Sequence, residues 1–137
     1  MYMTNNDLWA VMKLKYPDLE GGRDYLMACK IPNEGFEQQE HAYIFRWNVA
    51  TVAEPTQADL EAYWNANMSA VLAAQIAEAF RVERDRRLIE ADSLVETAID
   101  KGDAKAERAA RDYRQALRDV PQQPDFPETV DWPLLPR

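Results

Sequence analysis

The chain has 137 residues, with 16 Lys and Arg against 24 Asp and Glu for a formal net charge of −8, and it contains one histidine and one cysteine. An acidic chain of this kind offers no continuous basic face for phosphates, which argues against nucleic acid and anionic membranes as partners. One His and one Cys cannot assemble a Cys/His zinc site or an internal disulfide, so stability has to come from packing.

No apolar run approaches the roughly 20 residues that cross a bilayer. The opening Met1–Asp7 also lacks the basic and apolar regions of a secretory signal, which points to a soluble, cytosolic protein. Charge is −3 over 1–56, −3 over 57–120 and −2 over 121–137, while all 8 prolines and 3 of the 4 glycines lie outside 57–120. The middle segment therefore reads as a long helical region between two punctuated ends.

Thr4, Asn5, Asn6 and Asp7 offer N-cap oxygens to a first helix near 5–15, with Leu8, Trp9, Val11, Met12 and Leu14 on its apolar side and Tyr16-Pro17 as its stop. Beyond Gly21-Gly22, the runs Asp24–Cys29 and His41–Trp47 read as two strands joined by a long polar loop around Pro32–Gly35. Strict alternation would put Tyr43, Phe45 and Trp47 on one face and Ala42, Ile44 and Arg46 on the other.

Thr56, with Asp59 three positions on, opens the next helix. Leu60, Tyr63, Trp64, Met68, Val71, Leu72, Ile76, Ala79 and Phe80 mark its apolar stripe, giving a helix of some thirty residues. Asp92-Ser93 has the look of a bend or restart, and Lys101-Gly102-Asp103 is a second break. A final helix over about 103–119 carries Ala106, Ala109, Ala110, Tyr113, Ala116 and Leu117 along one side. Two antiparallel helices joined through 92–103 are expected.

The last seventeen residues hold five prolines, which favour an extended backbone, yet Phe126, Val130, Trp132, Leu134 and Leu135 are too apolar for a tail that stays in water. The expected fold class is α+β, mainly α. It comprises a small helix-plus-hairpin unit over 1–54, a helical hairpin over 55–120 and an extended proline-rich tail over 121–137 that docks on the chain itself or on a partner.

The run Tyr113-Arg114-Gln115-Ala116-Leu117-Arg118-Asp119-Val120-Pro121, then Phe126-Pro127 and Val130-Asp131-Trp132-Pro133-Leu134-Leu135-Pro136, resembles the carboxy-terminal signature of the tail assembly chaperone (tail fibre assembly) family of tailed bacteriophages. Upstream, Arg81, Arg84-Asp85, Leu88 and Asp92 are similar to that family's Arg-x-x-Arg-Asp-x-x-Leu-x-x-x-Asp pattern, and Pro55-Thr56 with Leu60 resembles the start of its long helix. Two departures are Asp92-Ser93, where members often carry Asp-Trp, and Ala109-Ala110, where an aromatic is usual.

The resemblance implies a non-enzymatic protein of the host cytoplasm that binds a phage tail-fibre or other tail protein during assembly, with no cofactor and no metal. A permanent virion component, such as a tail-fibre adaptor, is the alternative. The candidate partner-binding residues are Tyr113, Arg114, Leu117, Arg118, Phe126, Val130, Trp132 and Pro133.

For these residues two readings stand side by side. Arg114 and Arg118, four apart on one face, could receive a client carboxylate or carbonyl, or could pair with Asp85 and Asp92 of the neighbouring helix. Phe126, Val130 and Trp132 could anchor a partner, or strap the chain's own helices. The Trp64–Phe80 stripe fits a core or a homo-oligomer interface. Cys29 reads as a small apolar strand residue, and His41 has no nucleophile or acid at catalytic spacing.

Overall fold

The computed structural model describes residues 1–35 and 37–137. The fold is α+β and mainly α, with helices α1 (Asn5–Lys15), α2 (Gln57–Ala66), α3 (Met68–Asp100) and α4 (Ala104–Asp119) and an antiparallel pair β1 (Tyr25–Ala28) and β2 (Tyr43–Trp47). It divides into two compact units, Met1–Gln75 and Ile76–Arg137, with α3 supplying residues to both.

In the first unit, Thr4 caps α1 through a reciprocal box: its hydroxyl accepts from the Asp7 N–H, and its own N–H donates to the Asp7 carboxylate at 2.8 Å. The same device starts α2, with Thr56 and Asp59. Burial pushes the Asp7 carboxyl up, but hydrogen bonds from the Thr4 side chain and backbone, and from Gln75 and Trp64, outweigh it and leave it below the usual carboxylate range. A carboxyl lowered on folding stabilises the fold above its unfolded pKa and loses that contribution as pH falls through the folded value. Thr4→Ala is therefore expected to cost about 1 kcal/mol at neutral pH. The gap between variant and parent should narrow in acid, as urea unfolding at pH 7 and pH 3 will show.

Leu8, Ala10, Val11 and Met12 of α1 are buried with Met3, Tyr25, Ala42, Leu60, Trp64 and Val71 in one core. The strands pair Tyr25 with Trp47, Leu26 with Arg46, Met27 with Ile44 and Ala28 with Tyr43, and a bulge between Leu26 and Met27 leaves Phe45 as an extra residue. That extra residue resets the alternation. Ala42, Ile44 and Trp47 pack on the core while Phe45 is 60% exposed, so the expected Tyr43, Phe45, Trp47 face does not form. Trp47 instead stacks on Tyr25 at 6.3 Å and donates its indole N–H to the Val52 carbonyl.

The helix expected from Thr56 onward breaks earlier than the cap-type residues indicate. Asn67 leaves helical geometry at φ −128°, and both its backbone N–H and its side-chain amide turn back to the carbonyls of Trp64 and Tyr63. No restart occurs at Asp92-Ser93, because α3 runs through the pair and ends at Asp100. Ala91, Val95 and Ala98 keep an unbroken buried line across it. Asp92 is occupied by Arg114 of α4 and does not cap its own helix.

The turn between α3 and α4 is made by Gly102 at φ +67°, where a side chain would meet no neighbour within 4 Å. Its requirement is purely conformational, so Gly102→Ala is expected to cost about 1 kcal/mol, with Asn less harmful. Comparing the urea midpoints of the two variants checks this. Asp103 then caps α4 by accepting the Ala106 N–H.

Candidate partner-binding surface

Within the second unit, the outward faces of α3 hold their charges among themselves. Arg81 pairs with Glu78 and Asp85, and Glu83 with Arg86 and Arg87, all at three- or four-residue spacing. Hydrogen bonds from Arg86 and then Arg87 bring the Glu83 carboxyl down to about 2. Such exposed pairs are screened by solvent and contribute little to stability. Asp85 is thereby spent within its own helix and is not the partner of Arg114 or Arg118.

On the inward side, Ala91, Tyr113 and Leu117 form a small buried cluster with Leu88 and Trp132 packed against it. Arg114 reaches across to Asp92 at 2.9 Å, while Arg118 is exposed and has no hydrogen-bond or ion-pair partner among the described residues. The two arginines thus divide the two readings: Arg114 joins α3 to α4, and Arg118 is available.

The segment after α4 is not extended from its start. A short 3-10 turn, Val120–Gln122, is followed by turns through Thr129, with Thr129 donating to the Asp125 carbonyl and a cis peptide between Phe126 and Pro127. The Gln123 side-chain amide then accepts the Asp131 N–H at 2.9 Å and donates to the Asp131 carbonyl at 2.8 Å, pinning the loop closed as a strand neighbour would.

This closure aims two aromatics at α3. Phe126 and Trp132 each lie 6.1 Å from the Phe80 ring, tilted by 54° and 50°. The Arg87 guanidinium sits 4.3 Å above the Trp132 ring, within cation–π range. The tail therefore docks in cis.

Of the eight candidate residues, Tyr113 and Leu117 are buried, Arg114 is half-buried and paired, and Arg118 is exposed. Phe126, Val130, Trp132 and Pro133 are half-buried, each leaving part of its surface in solvent. Sequence reasoning missed Phe80 and Arg87 as the seat of Trp132. Their spacing of seven, on the face that continues to Ala91, was the available signal.

The Trp64–Phe80 stripe also splits: Trp64 and Val71 are buried, whereas Met68, Leu72 and Ile76 are exposed, Leu72 by 57%. His41 accepts the Met3 N–H on Nδ1 and packs edge-on to Tyr2 and Trp64. Cys29 accepts a weak bond from Asn5. Among the described residues, no helix is long and apolar enough to cross a membrane, and no group of three or more His, Cys, Asp or Glu is placed to hold a metal ion.

Residues 77–137, which include α3 from residue 77 onward, α4 and the strap, match the family described as phage tail assembly chaperone protein. That stretch, a little under half of the chain, is similar to the phage tail assembly chaperone family. Residues 8–72 match a second family, described as XkdW protein. The two matches leave only 1–7 and 73–76 uncovered, and the gap between them falls where the two compact units divide. Neither a curated protein nor a solved structure matches the chain. The match supports a role in phage tail assembly, with phage tail proteins as the class of partner.

Proposed function

We propose that this chain is a phage assembly chaperone that acts without catalysis, gripping a phage tail or tail-fibre protein on the surface built by α3, α4 and the docked carboxy-terminal segment. The observation that carries this reading is the match of 77–137 to the chaperone family, over the same residues that hold Trp132 and Phe126 half-buried on Phe80. A docked aromatic whose outer edge stays in solvent gives a partner a rigid anchor and lowers the entropy it must give up. Arg118, exposed and unpaired on α4, supplies a fork for a client carboxylate or carbonyl.

Tyr113 and Leu117 act from beneath, holding α4 against Ala91 so that the surface keeps its shape. The test is size-exclusion chromatography with light scattering, on the chain alone and co-expressed with the tail or tail-fibre protein encoded beside it. A stable co-eluting complex is expected, and the mass of the chain alone reads its subunit number. A chain indifferent to that neighbour would refute the client reading.

A further inference from the structure

The first unit contains an open cleft of about 900 Å³ that the chaperone surface does not use. It is lined by Tyr43 and Ile44 of β2 on one side, and by Glu54, Pro55 and Glu61 at the entry and first turns of α2 on the other. Adjacent residues of a strand point to opposite faces. A cleft that touches both Tyr43 and Ile44 therefore opens along the edge of β2 and not over either face. One edge of β2 is taken by β1; just before β2 the Ala42 N–H already donates to the Met3 carbonyl and the Ala42 carbonyl accepts from Gln57, but along Tyr43–Trp47 no third strand lies on the other edge among the described residues. Unpaired strand edges are templates for an added strand.

Charge says what kind of strand. Of the cleft's carboxylates, Glu40 is matched by Lys30 at 3.0 Å, but Glu54 and Glu61 face no cation among the described residues. Gln57 donates to Glu61 and neutralises nothing. The amino terminus of α2, whose dipole would favour an anion, already has Thr56 and Asp59 on its first amides.

We infer that the free edge of β2 receives an extended, basic segment of a partner protein as a third strand, with its cationic side chains paired to Glu54 and Glu61. The volume fits a peptide-sized ligand, within the roughly 300–1,000 Å³ common for binding clefts.

The experiment titrates isotope-labelled full-length chain with a blocked seven-residue peptide of alternating valine and arginine, read by amide chemical shifts. Expected are shifts confined to residues 43–47 and 54–61, and binding weakened roughly fivefold by the double change Glu54→Gln with Glu61→Gln. Binding should be lost when the peptide is N-methylated at every second residue in the register that faces β2.

A peptide that binds equally well when N-methylated in either register overturns strand addition. Equal binding of a valine–glutamate peptide overturns the charge argument. Shifts scattered over the acidic helices of 76–137, or none at all, overturn the site itself. Because the probe needs no tail protein, failure here is distinguishable from failure of the chaperone reading.

Discussion

Cutting Tyr25 back to alanine is expected to cost about 3–5 kcal/mol, whereas Tyr25→Phe is expected to leave stability unchanged or raise it by about 1 kcal/mol. Both follow from one environment. The Tyr25 ring is fully buried, stacked on Trp47 and central to the core of the first unit, so its removal opens a large cavity. Its hydroxyl, however, is buried without a hydrogen-bond partner. An unsatisfied hydroxyl gives up its hydration for nothing, and phenylalanine keeps the ring while shedding that cost.

Alkaline pH provides a second readout. Burial, and then the charge of Asp24, raise the Tyr25 phenol above its ordinary value. A raised acid stabilises the fold fully below its unfolded pKa and loses that contribution as pH rises through the folded one. Stability should therefore decline above about pH 10 in the parent and decline less in Tyr25→Phe, as urea unfolding at pH 7 and pH 10.5 will show. A phenylalanine variant less stable than the parent at both values would mean that the hydroxyl is satisfied in solution.

The places where the sequence is legible, and where it is not, have physical causes. Helix starts at Thr4 and Thr56 and the turn at Gly102 are readable because one or two neighbouring residues determine them: a cap oxygen, an acid at the third position, a residue free to adopt positive φ. The Phe45 bulge is not readable, since it depends on how two strands register across a long loop, and one extra residue moves Trp47 onto the core side.

Asp92-Ser93 misleads for a similar reason. Cap-type residues signal a helix end only when their oxygens are free to bond the local backbone, and here Arg114 claims Asp92 while the Ala91–Val95–Ala98 line holds the helix through. At the candidate surface, the apolar character of the tail showed that it had to dock. That it docks on Phe80 and Arg87 required two segments distant in sequence to meet.

Trp132→Ala is expected to weaken the complex with the tail protein by about 2 kcal/mol, roughly thirtyfold in Kd, while leaving helix content near the parent level. The ring bridges two functions: one side rests on Phe80 and under the Arg87 guanidinium, and the rest stays in solvent. Removing it takes away the anchor and releases the segment that Gln123 pins.

Phe80→Ala separates this from simple competition. If the client binds the docked strap, loosening its seat weakens the complex as Trp132→Ala does, because the partner must then pay the ordering entropy itself. A client that displaces the strap to reach α3 would bind more tightly once the strap is loosened. Tighter binding by a Phe80→Ala chain with parent-like circular dichroism would overturn the anchor assignment and make the strap a plug. The docked geometry favours the first outcome, since Phe126 and Trp132 share one ring and the Gln123 side chain closes the segment on the Asp131 backbone.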